Sequence, residues 1–122
     1  MEKKSFGEPS ERVLFPCSGA SNYGQISNEV VLRLRDAGKG KMSCIAGIGG
    51  HVKGLVDGAK QTKYIIAIDG CDVACVKKCL EAEGLQPAAY FVISKELGIE
   101  KTGQRPKEED IQEAFMMISE KI

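Results

Sequence analysis

At 122 residues the chain suits one compact domain able to bury a core without disulfides. Its 17 Lys and Arg balance 17 Asp and Glu, so it lacks the cationic excess used for non-specific binding of nucleic acid or membrane surfaces, and neither partner is expected. It has no apolar signal segment beside Lys3 and Lys4 and no run of roughly eighteen apolar residues, so a cytoplasmic protein is expected.

Residues 1–10 are polar with Pro9 near their end and read as a disordered tail, leaving residues 11–122 as a single domain. Val13 to Cys17, Lys41 to Ile45, Tyr64 to Ile68 and Ala88 to Ile93 are short apolar runs that read as buried strands. Between the first two, Ile26, Val30, Leu34 and Ala37 share a helical face that stops at Gly38. A weaker helix is expected from His51 to Lys60, where Gly54 and Gly58 lower helix propensity. A third runs from Asp72 to Glu83, stopping at Gly84. The last opens near Pro106, has Glu108, Glu109 and Asp110 at its positive end, and buries Ile111, Phe115, Ile118 and Ile122. Strand and helix alternate, and crossovers of this length suit parallel strands. The expected fold is therefore α/β: a single three-layer, Rossmann-like domain with a four-stranded, mainly parallel sheet in the order 2-1-3-4.

Five cysteines are an odd number, and a reducing compartment keeps thiols free, so metal binding or thiol chemistry is a better expectation than a disulfide scaffold. Cys17, Cys44 and Cys71 follow one another at intervals of 27 residues, one strand-helix unit, which puts each at the carboxyl end of a successive strand. Strands about 4.8 Å apart leave the outer two backbones roughly 10 Å apart, a span that inward-pointing side chains can close around a zinc ion with sulfurs at about 2.3 Å. Cys75 lies one helical turn beyond Cys71 and supplies a fourth ligand, whereas Cys79, a further turn on, reads as a buried structural thiol. Buried packing is an ordinary role for any single one of these cysteines.

The string Tyr64-Ile-Ile-Ala-Ile-Asp69-Gly70-Cys71, followed by Cys75 and Lys77-Lys78, resembles the signature of the DGC domain family, named for its Asp-Gly-Cys tripeptide. Pro16-Cys17-Ser-Gly-Ala-Ser21 with Gly24-Gln25 is similar to that family's first motif. The resemblance implies zinc binding through four shared cysteines, matched here by Cys17, Cys44, Cys71 and Cys75, with Cys79 as a departure. It implies no particular reaction.

Around these cysteines, Ser18 to Gln25 is a small-residue loop whose backbone N–H groups could cradle an anion or bond thiolates. Tyr23 occupies the position six after Cys17, so a Cys-x5-Arg phosphatase loop is excluded. Gly47-x-Gly49 lacks the third glycine of a dinucleotide fingerprint at Val52. His51, the sole histidine, reads first as a helix-start residue, with a role beside a metal or as a proton shuttle as the sharper alternative. Asp69 and Asp72 read as helix caps, with a hydrogen bond to a ligand as the second role for Asp69. Lys77 and Lys78 read as a solvated face, and Lys101 offsets thiolate charge only if its loop folds over the sheet edge.

Two functions follow from these residues. In the first, Cys17, Cys44, Cys71 and Cys75 hold one zinc ion for a structural, sensing or metal-delivery role, because a closed ZnS4 centre has no open position for activated water. In the second, the chain is a thiol redox or sulfur/phosphoryl carrier enzyme with Cys17 or Cys71 as nucleophile. Against both stands an interaction protein whose cysteines merely pack.

Overall fold

The computed structural model describes residues 6–122. Four parallel strands form one sheet in the order β2-β1-β3-β4: β1 (Arg12–Pro16), β2 (Lys41–Met42), β3 (Tyr64–Asp69) and β4 (Ala89–Val92). This matches the expected order 2-1-3-4, and the parallel pairing is the one expected from the alternation. β1 and β3 are central, pairing from Arg12↔Tyr64 to Pro16↔Ile68. Every residue of β1 is buried, as is β3 from Ile65 to Asp69, because helices cover both faces.

On one face, α1 (Asn22–Asp36) and α6 (Glu108–Ser119) pack Ile26, Val30, Leu34, Ile111 and Ile118 against Leu14, Ile66 and Ile68. On the other, α2 (Ile45–Gly49), α3 (Lys53–Gln61) and α4 (Cys75–Ala82) pack Ile48, Val56, Val76 and Leu80 against Val13, Phe15, Ile65 and Ala67. Adjacent strand residues thus feed opposite cores, the period of two that makes the layers. A short α5 (Ile93–Glu96) follows β4 directly.

Several boundaries differ from expectation. β2 ends at Met42, and the Ile45 end of the expected strand instead opens α2, which brings Ile48 to zero exposure in the core. α4 starts at Cys75 rather than Asp72, because residues 71–74 form a turn closed by the Ala74 N–H to the Cys71 carbonyl at 3.1 Å. The last helix starts at Glu108, two residues beyond Pro106. Of the expected tail, residues 1–5 lie outside the described residues. Phe6 is buried against the α1 and α6 core, edge-on to Tyr64, and Arg12 donates to the carbonyls of Phe6 and Gly7 at 3.0 and 2.7 Å.

Gly58 in α3 faces open space and has no positive φ, so a methyl group there meets no atom within 4 Å. Gly58→Ala is therefore expected to raise the free energy of unfolding by about 0.5–1 kcal/mol through helix propensity alone. Chemical denaturation measures this, and a loss of stability would show that α3 does not sit as described.

Candidate functional site

The carboxyl ends of β1 and β3 open into a cleft of about 550 Å³ lined by Cys17, Cys71 and Cys75. Cys17 follows β1 directly. Its N–H reaches both the Ile68 carbonyl at 2.9 Å and Ser27 Oγ at 3.1 Å, while the Ser27 hydroxyl donates to the Ile68 carbonyl at 2.6 Å. Ser27 is fully buried and so ties α1 to the ends of both central strands. The Cys17 sulfur is half-buried, and the nearby backbone N–H groups of Gly19 and Gly70 favour its thiolate. Burial pushes the Cys17 thiol above the ordinary range and outweighs those two donors, with Asp69 and Cys75 adding to the upward shift.

Three chain segments meet beneath the cleft at glycines. A Cβ on Gly24, in the first turn of α1, would lie 2.4 Å from the Gly19 nitrogen, and one on Gly70 would lie 2.7 Å from the Gly24 nitrogen. Backbone stacked this closely admits no side chain, which gives the glycine of the Asp-Gly-Cys tripeptide a steric reason. The Ser18 to Gln25 loop thus brings Gly19 beside the Cys17 sulfur, 3.4 Å from where a Cβ on Gly19 would sit, while the Asn22 N–H meets the Thr102 carbonyl at 2.9 Å.

Lys101, Thr102 and Gly103 line the same cleft as the thiols, so the loop before α6 does fold over the sheet edge. Asn22 holds it there: Nδ2 donates to the Glu100 carbonyl at 2.9 Å and Oδ1 accepts from the Thr102 N–H at 2.7 Å. Tyr23 adds a bond from its hydroxyl to the Ile99 carbonyl at 2.6 Å. Neither side chain stands out in the sequence, because the loop they grip lies more than seventy residues away.

Asp69, at 1% exposure, ends β3 behind the cleft. Its carboxylate accepts from the N–H groups of Val76 at 2.8 Å and Lys77 at 3.1 Å, in the first turn of α4, and from the Tyr90 hydroxyl at 2.8 Å. The capping role expected of Asp69 is thus present. The cap expected of Asp72 is not: Asp72 is exposed, outside the helix, and Asp69 takes the two amides. Lys77 lies over the Tyr90 ring at 5.2 Å and is half-buried, in contrast to exposed Lys78.

The other expected site residues lie elsewhere. Cys44 is exposed and lines a separate cleft with Pro16, Arg35, Met42 and Ile45, because β2 stops early and Cys44 caps α2. Cys79 packs in the second core, where a Cβ on Gly49 would come within 3.2 Å of its sulfur, and burial raises its thiol. His51 sits exposed in the turn between α2 and α3 with φ 59°, hydrogen-bonded through Nδ1 to the Glu83 carboxylate, and does not line the cysteine cleft. Among the described residues no group of three or more His, Cys, Asp or Glu side chains is close enough together to hold a metal ion. As arranged, the four cysteines do not fit a tetrahedral zinc sphere.

A family model, the DGC domain, matches residues 13–118. The chain belongs to the DGC domain family. Among relatives of this DGC protein is the anaerobic and virulence modulator AnvM of Pseudomonas aeruginosa, 39% identical over 107 residues that cover 87% of this chain and 81% of AnvM. No solved structure matches the chain. Among the described residues no helix is long and apolar enough to cross a membrane.

Proposed function

We propose that this DGC protein is a cytoplasmic regulatory module whose cysteine cleft takes up one zinc ion. Cys17, Cys71 and Cys75 are the thiolates of the cleft, and Cys44 is the fourth ligand. The observation that carries the reading is that three thiols from two strand ends and a helix start line one cleft. The backbone N–H groups of Gly19 and Gly70 near the Cys17 sulfur favour its thiolate, the form a metal takes. Because Cys17, Cys71 and Cys75 line one cleft without converging and Cys44 lines another, filling the sphere requires the three cleft thiols to close in and the 43–45 segment to swing toward β1, a coupling between metal and conformation suited to sensing. A modulator role for AnvM, as its name states, supports regulation over catalysis.

The alternative, Cys17 as a nucleophile, is favoured by the same two amide donors and opposed by the upward shift of its thiol, which leaves little thiolate at neutral pH.

Native mass spectrometry on protein purified without chelator, with thiol counting before and after zinc removal, tests both. The expected result is about one zinc per chain and four thiols released together, with Cys79→Ser unchanged and each of Cys17→Ser, Cys71→Ser and Cys75→Ser losing metal. Retention of zinc by Cys44→Ser would remove Cys44 from the ligand set. A metal-free protein with Cys17 reacting faster than exposed Cys75 would replace zinc binding with the nucleophile reading.

A further inference from the structure

We infer that Tyr90 and Asp69 act as a pair of positioning residues for the cleft, holding the 70–75 turn in the one conformation that presents Cys71 and Cys75 together. The turn leaves β3 after Asp69 and re-enters regular structure at Cys75, so its two ends are joined through a single carboxylate. One oxygen of Asp69 takes the Val76 N–H, and the other takes both the Lys77 N–H and the Tyr90 hydroxyl. β4 therefore contributes a side-chain bond to a turn that belongs to the neighbouring strand.

Two features of the turn show why it needs such a hold. Ala74 stands at φ 60°, ψ 45°, a left-handed conformation that an L residue adopts only when its surroundings impose it. The turn's own backbone supplies the Ala74 N–H to Cys71 carbonyl bond, and Ser94 N–H secures the Gly70 carbonyl at 3.0 Å. Neither reaches the helix side of Ala74, whose carbonyl takes the Lys78 N–H at 2.9 Å but gains no tie to β3 by it. The Asp69 carboxylate does, by fixing the two residues after Cys75. Burial and the adjacent Asp69 carboxylate push the Tyr90 phenol upward, so it remains a donor throughout the accessible pH range. The Lys77 ammonium over the ring covers the outer face of Tyr90.

The pair makes no hydrogen bond to a thiol and acts through the turn. The inference rests on the cysteine cleft being the functional site, but its test requires no metal. In zinc-free protein, alkylation of each cysteine by iodoacetamide is followed by peptide mass spectrometry, with Cys44 as the internal standard because it lies in the other cleft. Asp69→Asn keeps the shape of the side chain but replaces an acceptor with a donor facing the Lys77 N–H and the Tyr90 hydroxyl. The expected result is a rise of about fivefold in the Cys71 rate relative to Cys44. Tyr90→Phe, which removes only the hydroxyl and retains both amide bonds, is expected to give about twofold in the same direction. Adding Tyr90→Phe to Asp69→Asn should change the ratio no further, since the hydroxyl acts through the carboxylate.

An unchanged Cys71 to Cys44 ratio in Tyr90→Phe overturns the inference, whether or not Asp69→Asn folds. A parallel rise at all five cysteines overturns it too, because that signals general loosening of the fold. Zinc content measured on the same variants is a separate readout: wild-type protein that binds no zinc removes the metal reading and leaves the alkylation result standing.

Discussion

Gly24→Ala is expected to destabilise the domain by about 2 kcal/mol, although alanine is the better helix former by about 1 kcal/mol. Gly24 lies in the first turn of α1, where propensity alone would make the substitution favourable. The added methyl would sit 2.4 Å from the nitrogen, 2.7 Å from the Cα and 2.8 Å from the carbonyl oxygen of Gly19. All three are backbone atoms, which cannot rotate away as a side-chain tip can, so the Ser18–Gly19 loop must move. That movement carries Gly19 away from the Cys17 sulfur beside it. Gly70→Ala meets the same stack from the other side, at 2.7 Å from the Gly24 nitrogen and 2.8 Å from the Tyr23 carbonyl carbon. Urea denaturation gives the sign directly, with Gly58→Ala as the unhindered counterpart. A stabilised Gly24→Ala protein would mean that the three segments do not stack beneath the cleft.

Asn22→Ala is expected to release the 101–103 wall of the cleft. The side chain is 7% exposed and makes two hydrogen bonds to the 100–102 backbone, one donated and one accepted. At about 1 kcal/mol each, their loss amounts to about 2 kcal/mol of local stability, or roughly thirtyfold in an opening equilibrium. Native-state hydrogen exchange at the Thr102 amide reads this change, because that N–H is the one bonded to Asn22 Oδ1. The amides of β3 in the sheet centre should be little affected, since the loop is held from α1 and not from the strands. Thr102 exchange that stays at the wild-type rate would show that Tyr23 and the Asn22 N–H, which remain, carry the loop alone. With the wall loosened, Lys101 leaves the cleft, and zinc affinity measured on the same variant shows whether its charge supports the thiolates.

The sequence by itself determined the layer order. Apolar runs such as Val13 to Phe15 and Ile65 to Ile68 read as buried strands, the stripe of Ile26, Val30 and Leu34 reads as a covering helix, and the structure has both. The 27-residue interval of Cys17, Cys44 and Cys71 follows from that repeat and places three thiols near one sheet edge, which is as far as periodicity reaches. Whether thiols at one edge share one cleft depends on where each strand ends, and that was decided by tertiary contacts. β2 gives way to a glycine-rich α2 that its own propensity would not support, because Ile48 gains a fully buried place against the second core, and Cys44 is carried away from Cys17. The hold on the cleft likewise comes from Asn22, Tyr23, Ser27 and Tyr90. Their hydrogen bonds join segments between about twenty and eighty residues apart, and no local pattern records such pairings. Local spacing fixes which face a residue occupies, whereas long-range side-chain hydrogen bonds fix what it touches there.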